Sequence, residues 1–285
     1  MNIDLDGLPA VVTGSSRGLG RAFALALAEA GARVVVNGTR PGPVQETADA
    51  IRKAGGTAVT AVGSVADHSF CQDLIETCVG EFGSIGLLVN NAGLTRDHSL
   101  LKMTPEAFDE VVAVHLRGTW SCVSAAAKVM RSTGGRIVNI SSGAGLFGMF
   151  GQGNYAAAKA GIVGLNRVID LELARFGVRS NVLAPVARTD MTAVFDGAVA
   201  HQLEFPPPES VAPIVVYLAG EGARDIRGQV LSFDGTVLSV WSHPRAVSTV
   251  EHTSGWTPGE FARALTPEVM ESAHPDRWGA GVLSS

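Results

Sequence analysis

Short apolar runs alternate with longer helical segments along most of this chain, and this alternation limits the folds that are possible. Runs typical of buried strands occur at residues 8–13, 32–37, 57–62, 85–90, 136–140, 178–184 and 229–233. Helices are predicted at 19–30, 43–54, 68–82, 105–132 with a break near Gly118, 154–176 and 209–220. Strands that alternate with helices form a parallel sheet through right-handed crossovers. The sequence therefore predicts an α/β fold, a doubly wound Rossmann-type parallel sheet with helices on both faces.

A glycine-rich turn lies between the first predicted strand and the first predicted helix. Gly14, Gly18 and Gly20 follow the strand directly. Glycine lets a phosphate approach the backbone, and the helix N-terminus behind the turn offers free N–H groups and a positive dipole end. The spacing is G-x-x-x-G-x-G rather than the commoner G-x-G-x-x-G. Its position between a strand and a helix predicts a pyrophosphate site, as in a dinucleotide-binding protein.

A tyrosine and a lysine four residues apart, Tyr155 and Lys159, lie in a predicted helix, where an i, i+4 pair shares one face. A nearby ammonium stabilises a phenolate, so we expect Lys159 to lower the pKa of Tyr155 and make it a usable acid or base. Ser142 follows the fifth predicted strand and could hold a substrate carbonyl against the tyrosine. Alone, such a pair is more often a solvated helix face.

Four motifs occur in a single order along the chain. They are Thr13 with Gly14, Gly18 and Gly20; then Asn90, Asn91, Ala92 and Gly93; then Ser142; then Tyr155 and Lys159. In this order and spacing the chain resembles the short-chain dehydrogenase/reductase family over residues 5–235. The resemblance implies that Tyr155 transfers the proton, that Lys159 tunes it and contacts the nicotinamide ribose, and that Ser142 holds the substrate oxygen. Hydride then moves between the nicotinamide and a carbonyl carbon, which interconverts a ketone and a secondary alcohol.

The cofactor contacts that we expect lie along the carboxyl ends of the strands. They are Gly14, Ser16, Arg17, Gly18, Leu19, Gly20, Asn37, Arg40, Asn91, Ala92, Gly93, Tyr155, Lys159, Pro185 and Thr189. An acidic residue after the second strand would bind a ribose 2′-hydroxyl and repel a 2′-phosphate, but Gly38 stands there, with Arg40 and Arg17 nearby. The sequence therefore favours NADP(H), with NAD(H) possible. The alternative is that both arginines are ordinary solvated side chains.

One residue departs from the family pattern. An asparagine that usually anchors a water leading to the lysine is replaced by His115. We expect His115 to take part in a modified catalytic relay, and the alternative is a packing histidine without a catalytic part. Together with the stretches 147–155, 185–192 and 210–213, the run from His115 to Gly118 is also similar to the (3R)-hydroxyacyl-CoA dehydrogenase part of peroxisomal multifunctional enzyme type 2.

The substrate that this similarity implies is a 3-oxoacyl or (3R)-3-hydroxyacyl thioester of CoA or acyl-carrier protein. A general carbonyl, quinone or steroid reductase is the alternative within enzymes. The alternative that is not an enzyme is a catalytically retired module, which binds the cofactor but catalyses no reaction. It stays open because His115, Gly38 and Ser64 depart from the usual family pattern. The family also implies a homodimer or homotetramer.

Composition excludes other classes of protein. A formal net charge of -5 gives no basic footprint for nucleic acid, and no apolar run is long enough to span a membrane. Three cysteines without a C-x-x-C spacing, and seven histidines without a ligand spacing, predict neither a disulfide framework nor a metal site. We expect a cytoplasmic protein that binds no nucleic acid, membrane or metal.

The predicted domain arrangement is a dinucleotide-binding catalytic domain at residues 1–235 and a C-terminal extension at 236–285 that packs on it. The extension holds Trp241, Trp256 and Trp278, with a helix start at Thr257. It could cover the substrate mouth, join a dimer or simply add packing. Residues 191–208 are expected to close over the substrate. Phe147, Phe150 and Phe195 are candidates for an apolar acyl pocket.

Overall fold

The computed structural model describes residues 3–188, 205–253 and 255–269, and its central feature is an eight-stranded sheet. The strands are β1 (Pro9–Val12), β2 (Arg33–Gly38), β3 (Thr57–Val62), β4 (Leu87–Asn90), β5 (Gly135–Ile140), β6 (Val178–Pro185), β7 (Val230–Phe233) and β8 (Leu238–Trp241). Their order is β3-β2-β1-β4-β5-β6-β7-β8. β1 to β7 pair in parallel, and β8 pairs antiparallel to β7. The predicted doubly wound Rossmann-type fold is confirmed.

Helices connect the parallel strands. They are α1 (Gly18–Glu29), α2 (Pro41–Lys53), α3 (His68–Phe82), α4 (Pro105–Val112), α5 (Gly118–Thr133), α6 (Gly143–Phe147), α7 (Gly153–Leu173), α8 (Pro208–Ala219) and α9 (Pro258–Ala264). The predicted break near Gly118 is a π-helical segment, Ala113–Arg117, that joins α4 to α5. The side chain of Thr104 caps α4 by accepting a hydrogen bond from the Ala107 N–H, and Pro105 is the first residue of the helix.

The sheet is buried on both faces, which explains the continuous apolar runs in its strands. Successive side chains point to opposite faces. Val12, Val36 and Leu87 therefore join the core formed with α1, α2 and α8. On the other face, Val11 and Leu88 pack with residues of α3 and α5.

The strand order reverses between β1 and β4, and this point determines where the site lies. β1 continues to β2 on one side, whereas β4 continues to β5 on the other. Ligands of such sheets bind at the carboxyl ends of the strands beside this switch point. Gly14, Asn91 and Ser142 follow β1, β4 and β5 directly, so the chain brings them to that rim.

β8 was missed by the sequence interpretation. Its side chains give a weak signal, because Leu238 and Val240 are exposed on a strand of four residues at the edge of the sheet. The chain divides into two compact units, Met1–Trp241 and Ser242–Ser285. β8 thus lies in the first unit, and the packing of residues 236–285 on the domain stays a prediction.

The second unit contains α9, whose N-terminus is fixed by a capping box. The Thr257 hydroxyl accepts a hydrogen bond from the backbone N–H of Glu260. In return, the Glu260 carboxylate accepts a hydrogen bond from the backbone N–H of Thr257 at 2.6 Å. Trp256 stacks on Phe261 with ring centroids 4.8 Å apart and contacts His252 at 4.5 Å. The helix start predicted at Thr257 is confirmed.

Among residues 3–188, 205–253 and 255–269, none of the helices combines the length and the apolar character that crossing a bilayer requires. The same stretches hold no cluster of histidine, cysteine and acidic side chains suited to a metal ion. Cys71, Cys78 and Cys122 are buried free thiols.

Candidate active site

The glycine turn is formed by a backbone that only glycine adopts readily. Gly14 and Gly18 have φ angles of 63° and 53°. A Cβ at Gly14 would lie 2.6 Å from the Cα of Ala92, so the turn and the segment after β4 touch. α1 begins at Gly18 and directs its first N–H groups to this turn. The residues present therefore fit the pyrophosphate of a dinucleotide.

Side chains at the ends of three strands hold the glycine turn against the sheet by hydrogen bonds. The Thr13 hydroxyl accepts from the backbone N–H groups of Asn91, at 2.9 Å, and Ala92, at 3.0 Å. The Asn91 amide donates to the carbonyls of Thr13 and Gly14. Asn37 is buried; its Oδ1 accepts from the Gly14 N–H at 3.1 Å, and its Nδ2 donates to the Ala61 carbonyl at 3.0 Å. The side chains of Asn37 and Asn91 thus support the turn from within.

At the end of β2, two neighbouring side chains lie close to the Cα of Gly38. A Cβ at Gly38 would lie 2.9 Å from Ser16 Oγ and 2.9 Å from a Val44 methyl group. Arg17 and Arg40 are both exposed near this end. Thr189, also expected to contact the cofactor, lies outside the described residues.

Ser142, Tyr155 and Lys159 meet at the end of β5. Ser142 precedes α6, and its hydroxyl accepts from the Ala144 N–H at 3.2 Å. Tyr155 and Lys159 lie on the first two turns of α7, with Lys159 Nζ 5.5 Å from the centroid of the tyrosine ring. Lys159 is buried and donates to the Ile140 carbonyl at 2.6 Å. The structure therefore brings these predicted residues together.

The pKa values of this group differ from the expectation. Burial raises the pKa of Tyr155 to about 12, which a hydrogen bond with Ser142 offsets in part and the charge of Asp97 increases. Burial also lowers the pKa of Lys159 to about 7. The expected fall in the tyrosine pKa is therefore wrong: the net shift is upward, because burial disfavours the phenolate of Tyr155 and also the ammonium of Lys159.

His115 lies in the π-helical segment and is 1% exposed. Its Nε2 lies 3.0 Å from Leu94 N and 2.7 Å from Leu94 O, so either tautomer finds a partner there. Nδ1 is buried without a hydrogen-bond partner. The ring meets Tyr155 edge-on at 5.1 Å. Burial, and then the charge of Lys159, lower the pKa of His115 to about 3, so the ring is neutral.

Two polar residues before Tyr155 were not assigned by the sequence interpretation. Gln152 Nε2 donates to Asp97 Oδ2 at 2.7 Å, and Asn154 Nδ2 donates to the carbonyls of Arg96 and Ala107. These bonds fasten the segment after β4 to the start of α7. The sequence feature that could have identified them is their position, because Gln152 and Asn154 alternate with glycines directly before the tyrosine.

Two of the three candidate phenylalanines, Phe147 and Phe150, lie in different surroundings. Phe147 packs edge-on against Trp241 at 4.9 Å, so its ring is part of the sheet packing. Phe150 is 94% exposed. Phe195 and the larger part of the expected closing segment at 191–208 lie outside the described residues. Pro185 ends β6 and pairs with Phe233 of β7.

Comparisons with known proteins agree with this geometry. The family model described as short chain dehydrogenase matches residues 9–198. The chain is 41% identical over 282 residues to hydroxyacyl-CoA dehydrogenase ChsB1 of Mycobacterium tuberculosis, covering 92% of this chain and 88% of that protein. It is 42% identical over 231 residues to peroxisomal multifunctional enzyme type 2 of Drosophila melanogaster, covering 77% of this chain but only 38% of that protein.

A solved structure is similar over nearly the whole chain. It is a short chain dehydrogenase from Mycobacterium avium, with a TM-score of 0.86, 40% sequence identity, and coverage of 96% of this chain and 98% of that one. The family resemblance inferred from the motifs is therefore confirmed.

Proposed function

The chain belongs to the short-chain dehydrogenase family of oxidoreductases, whose members bind a nicotinamide dinucleotide, and from that premise we propose that it interconverts 3-oxoacyl and (3R)-3-hydroxyacyl thioesters. The observation that carries the proposal is the meeting of Ser142, Tyr155 and Lys159 at the strand end beside the glycine turn. A relative of similar length named as a hydroxyacyl-CoA dehydrogenase supports the thioester substrate.

The side chains suit proton transfer to a carbonyl oxygen. Ser142 and Tyr155 are hydrogen-bonding partners, so their hydroxyls can share one substrate oxygen between them. When bound, the nicotinamide would supply hydride to the carbonyl carbon or accept it from the alcohol. Tyr155 donates a proton to the oxygen in reduction and removes it in oxidation. Since its pKa is raised, Tyr155 is held in the form that donates.

Lys159 and His115 lie behind the tyrosine and would supply its next proton. Lys159, whose pKa is about 7, can hold or release a proton near neutral pH. The Nδ1 atom of His115 is buried in the same region and has no hydrogen-bond partner among the residues that the structure describes. We place His115 in a modified relay to Lys159, as a neutral hydrogen-bonding group.

For the cofactor, the proposal is NADP(H) rather than NAD(H). Support comes from Gly38, which carries no acidic side chain and lies close to Ser16 and Val44, and from the exposed guanidinium groups of Arg17 and Arg40. The ratio of kcat/KM values with NADPH and NADH measures this preference. A clear preference for NADH would refute it.

Replacement of Tyr155 by phenylalanine tests the proposed reaction. With acetoacetyl-CoA and NADPH, Tyr155→Phe should lose about 10²- to 10⁴-fold in kcat while it still binds the dinucleotide. Tyr217→Phe is the matched control, because Tyr217 lies on α8 and its hydroxyl bonds the Gly222 carbonyl. Full activity of Tyr155→Phe would contradict the assignment.

A panel of substrates separates the remaining alternatives. Wild-type protein that prefers simple ketones or quinones to acetoacetyl-CoA and longer oxoacyl thioesters would be a general carbonyl reductase. Protein that binds dinucleotide but turns over no substrate would be a retired module. The homodimer or homotetramer and the cytoplasmic location stay proposals from the sequence, and light scattering of the purified protein tests the first.

A further inference from the structure

The segment Arg96 to His98 is held against the start of α7 by contacts from both sides. Gln152 Nε2 donates to Asp97 Oδ2 at 2.7 Å, and Gln152 is 5% exposed. The His98 N–H donates to the Gly151 carbonyl at 2.9 Å, and Asn154 Nδ2 donates to the Arg96 carbonyl at 3.0 Å. Since Asn154 immediately precedes Tyr155, these bonds fix the Asp97 carboxylate beside the tyrosine.

The charge of this carboxylate is not neutralised by a neighbour. Asp97 Oδ1 is buried and has no hydrogen-bond partner within residues 3–188, 205–253 and 255–269. The adjacent guanidinium of Arg96 is engaged with Glu110, with Nε 2.8 Å from Oε2 and Nη2 2.9 Å from Oε1. In the part of the chain that the structure describes, Asp97 forms no ion pair. An acidic side chain without a pairing cation in the described ranges therefore lies against the start of α7, where Tyr155 is found.

We propose that Asp97 is a positioning residue whose carboxylate, held at the start of α7, keeps Tyr155 in its protonated form. This inference rests on the proposed function of Tyr155. The groups around the phenol are Lys159 on its own helix, Ser142 at the end of β5, His115 in the π-helical segment and Asp97 after β4. Ser142 does not titrate, His115 is neutral, and Lys159 carries a charge only below its pKa of about 7, so above that pH Asp97 is the group whose charge acts on the phenol.

The physical effect follows from the sign of each charge. A nearby carboxylate makes a second negative charge on the phenol less favourable, whereas an ammonium makes it more favourable. The raised pKa of Tyr155, caused first by burial and in part by Asp97, supports this arrangement. Asp97 thereby favours the protonated form of Tyr155, which donates the proton in reduction. Alcohol oxidation needs the phenolate form, so its rate should rise only as the pH approaches the pKa of Tyr155.

A protein with a single tyrosine allows the phenol to be titrated directly. The chain has two tyrosines, so Tyr217→Phe leaves Tyr155 alone. Asp97→Asn keeps an oxygen for Gln152 but removes the charge. In the Tyr217→Phe background, ultraviolet absorbance of tyrosinate should show the pKa of Tyr155 about one unit lower in Asp97→Asn than in its parent. Circular dichroism confines the comparison to the pH range in which the fold is intact.

The matched control is Asp109→Asn, which removes the same charge from an exposed position on α4. It should leave the tyrosine titration unchanged. Asp97→Ser is a second neutral variant, for use if Asp97→Asn does not fold. An equal midpoint in the parent, the folded Asp97 variant and Asp109→Asn overturns the inference.

The turnover experiment uses alcohol oxidation with NADP⁺ across pH. In Asp97→Asn the rising limb of kcat/KM should move about one unit toward lower pH, which gives about tenfold faster oxidation on that limb. An unchanged limb with unchanged turnover contradicts the role of Asp97 and leaves the proposed function intact. Loss of the proposed function is seen separately, as full activity of Tyr155→Phe.

Discussion

Two regions at the carboxyl ends of the strands, the glycine turn and the surroundings of Tyr155, differ in how their buried polar groups are hydrogen-bonded. We call them the glycine-turn half and the tyrosine half of the rim. Around the glycine turn, the hydroxyl of Thr13 and the amides of Asn37 and Asn91 all hold hydrogen-bond partners from neighbouring strands. Around Tyr155, the Oδ1 atom of Asp97 and the Nδ1 atom of His115 are buried without partners among the described residues, as is the Oδ1 atom of Asn90 at the end of β4. The pKa values of Tyr155, Lys159 and His115 are also displaced in this half, in each case mainly by burial.

This difference indicates that the glycine-turn half contributes to the stability of the fold, whereas the tyrosine half contributes to the reaction. Satisfied buried hydrogen bonds stabilise a fold, whereas buried groups without partners cost free energy and persist where chemistry uses them. Displaced pKa values cluster at reactive sites for the same reason. We therefore expect substitutions in the glycine-turn half to change stability and cofactor affinity. Substitutions in the tyrosine half should change turnover and the dependence on pH.

The largest expected effect is that of Lys159→Met. The side chain is nearly isosteric but lacks the amine that donates to the Ile140 carbonyl and lies 5.5 Å from the tyrosine ring. We expect kcat to fall about 10²- to 10⁴-fold, as for loss of a general acid–base group. Lys128→Met, at an exposed position on α5, is the control and should retain full activity. A fully active Lys159→Met would contradict the claim that the tyrosine half determines turnover.

The next effect concerns His115 and the dependence of stability on pH. Its pKa is about 3 in the folded protein and near 6.5 when exposed, so the unfolded chain binds more protons between these values. The free energy of unfolding should therefore fall as pH falls from about 6.5 to about 3, by up to several kcal/mol. His115→Gln should lose this slope, measured by urea unfolding across that range.

Replacement of the exposed His98 by glutamine provides the control for that experiment, because it removes a histidine from the surface of the same half of the rim. The acid-dependent loss of stability should persist in His98→Gln. A slope that is equal in wild type and His115→Gln would show that the buried ring does not govern acid stability.

Features that depend on local spacing could be predicted from the sequence. The glycine turn and the helical pair of Tyr155 and Lys159 each lie within a short stretch, where strand, turn and helix patterns determine which side chains meet. The break in the long central helix near Gly118 was also visible. These elements carry the family resemblance and place the site at the correct edge of the sheet.

Features that depend on burial or on distant pairing could not be predicted. Asp97 and Gln152 are 55 residues apart in the chain and meet only because β4 and the start of α7 reach the same rim. The pKa of Tyr155 was expected to fall, since spacing shows a lysine but not how deeply the two groups are buried. β8 was missed because an exposed edge strand has little apolar periodicity.

The smallest expected effect is that of Thr13→Val in the glycine-turn half. Valine preserves the shape but leaves the backbone N–H groups of Asn91 and Ala92 without an acceptor, which should cost about 1–3 kcal/mol of unfolding free energy. Thr77→Val is the matched control, because the Thr77 hydroxyl donates to the Asp73 carbonyl within its own helix, α3, away from the glycine turn. Isothermal titration should show weaker dinucleotide binding in Thr13→Val, while the pH dependence of kcat stays that of wild type. A shifted pH profile with unchanged binding and stability would mean that the two halves are coupled, and that the division between them is wrong.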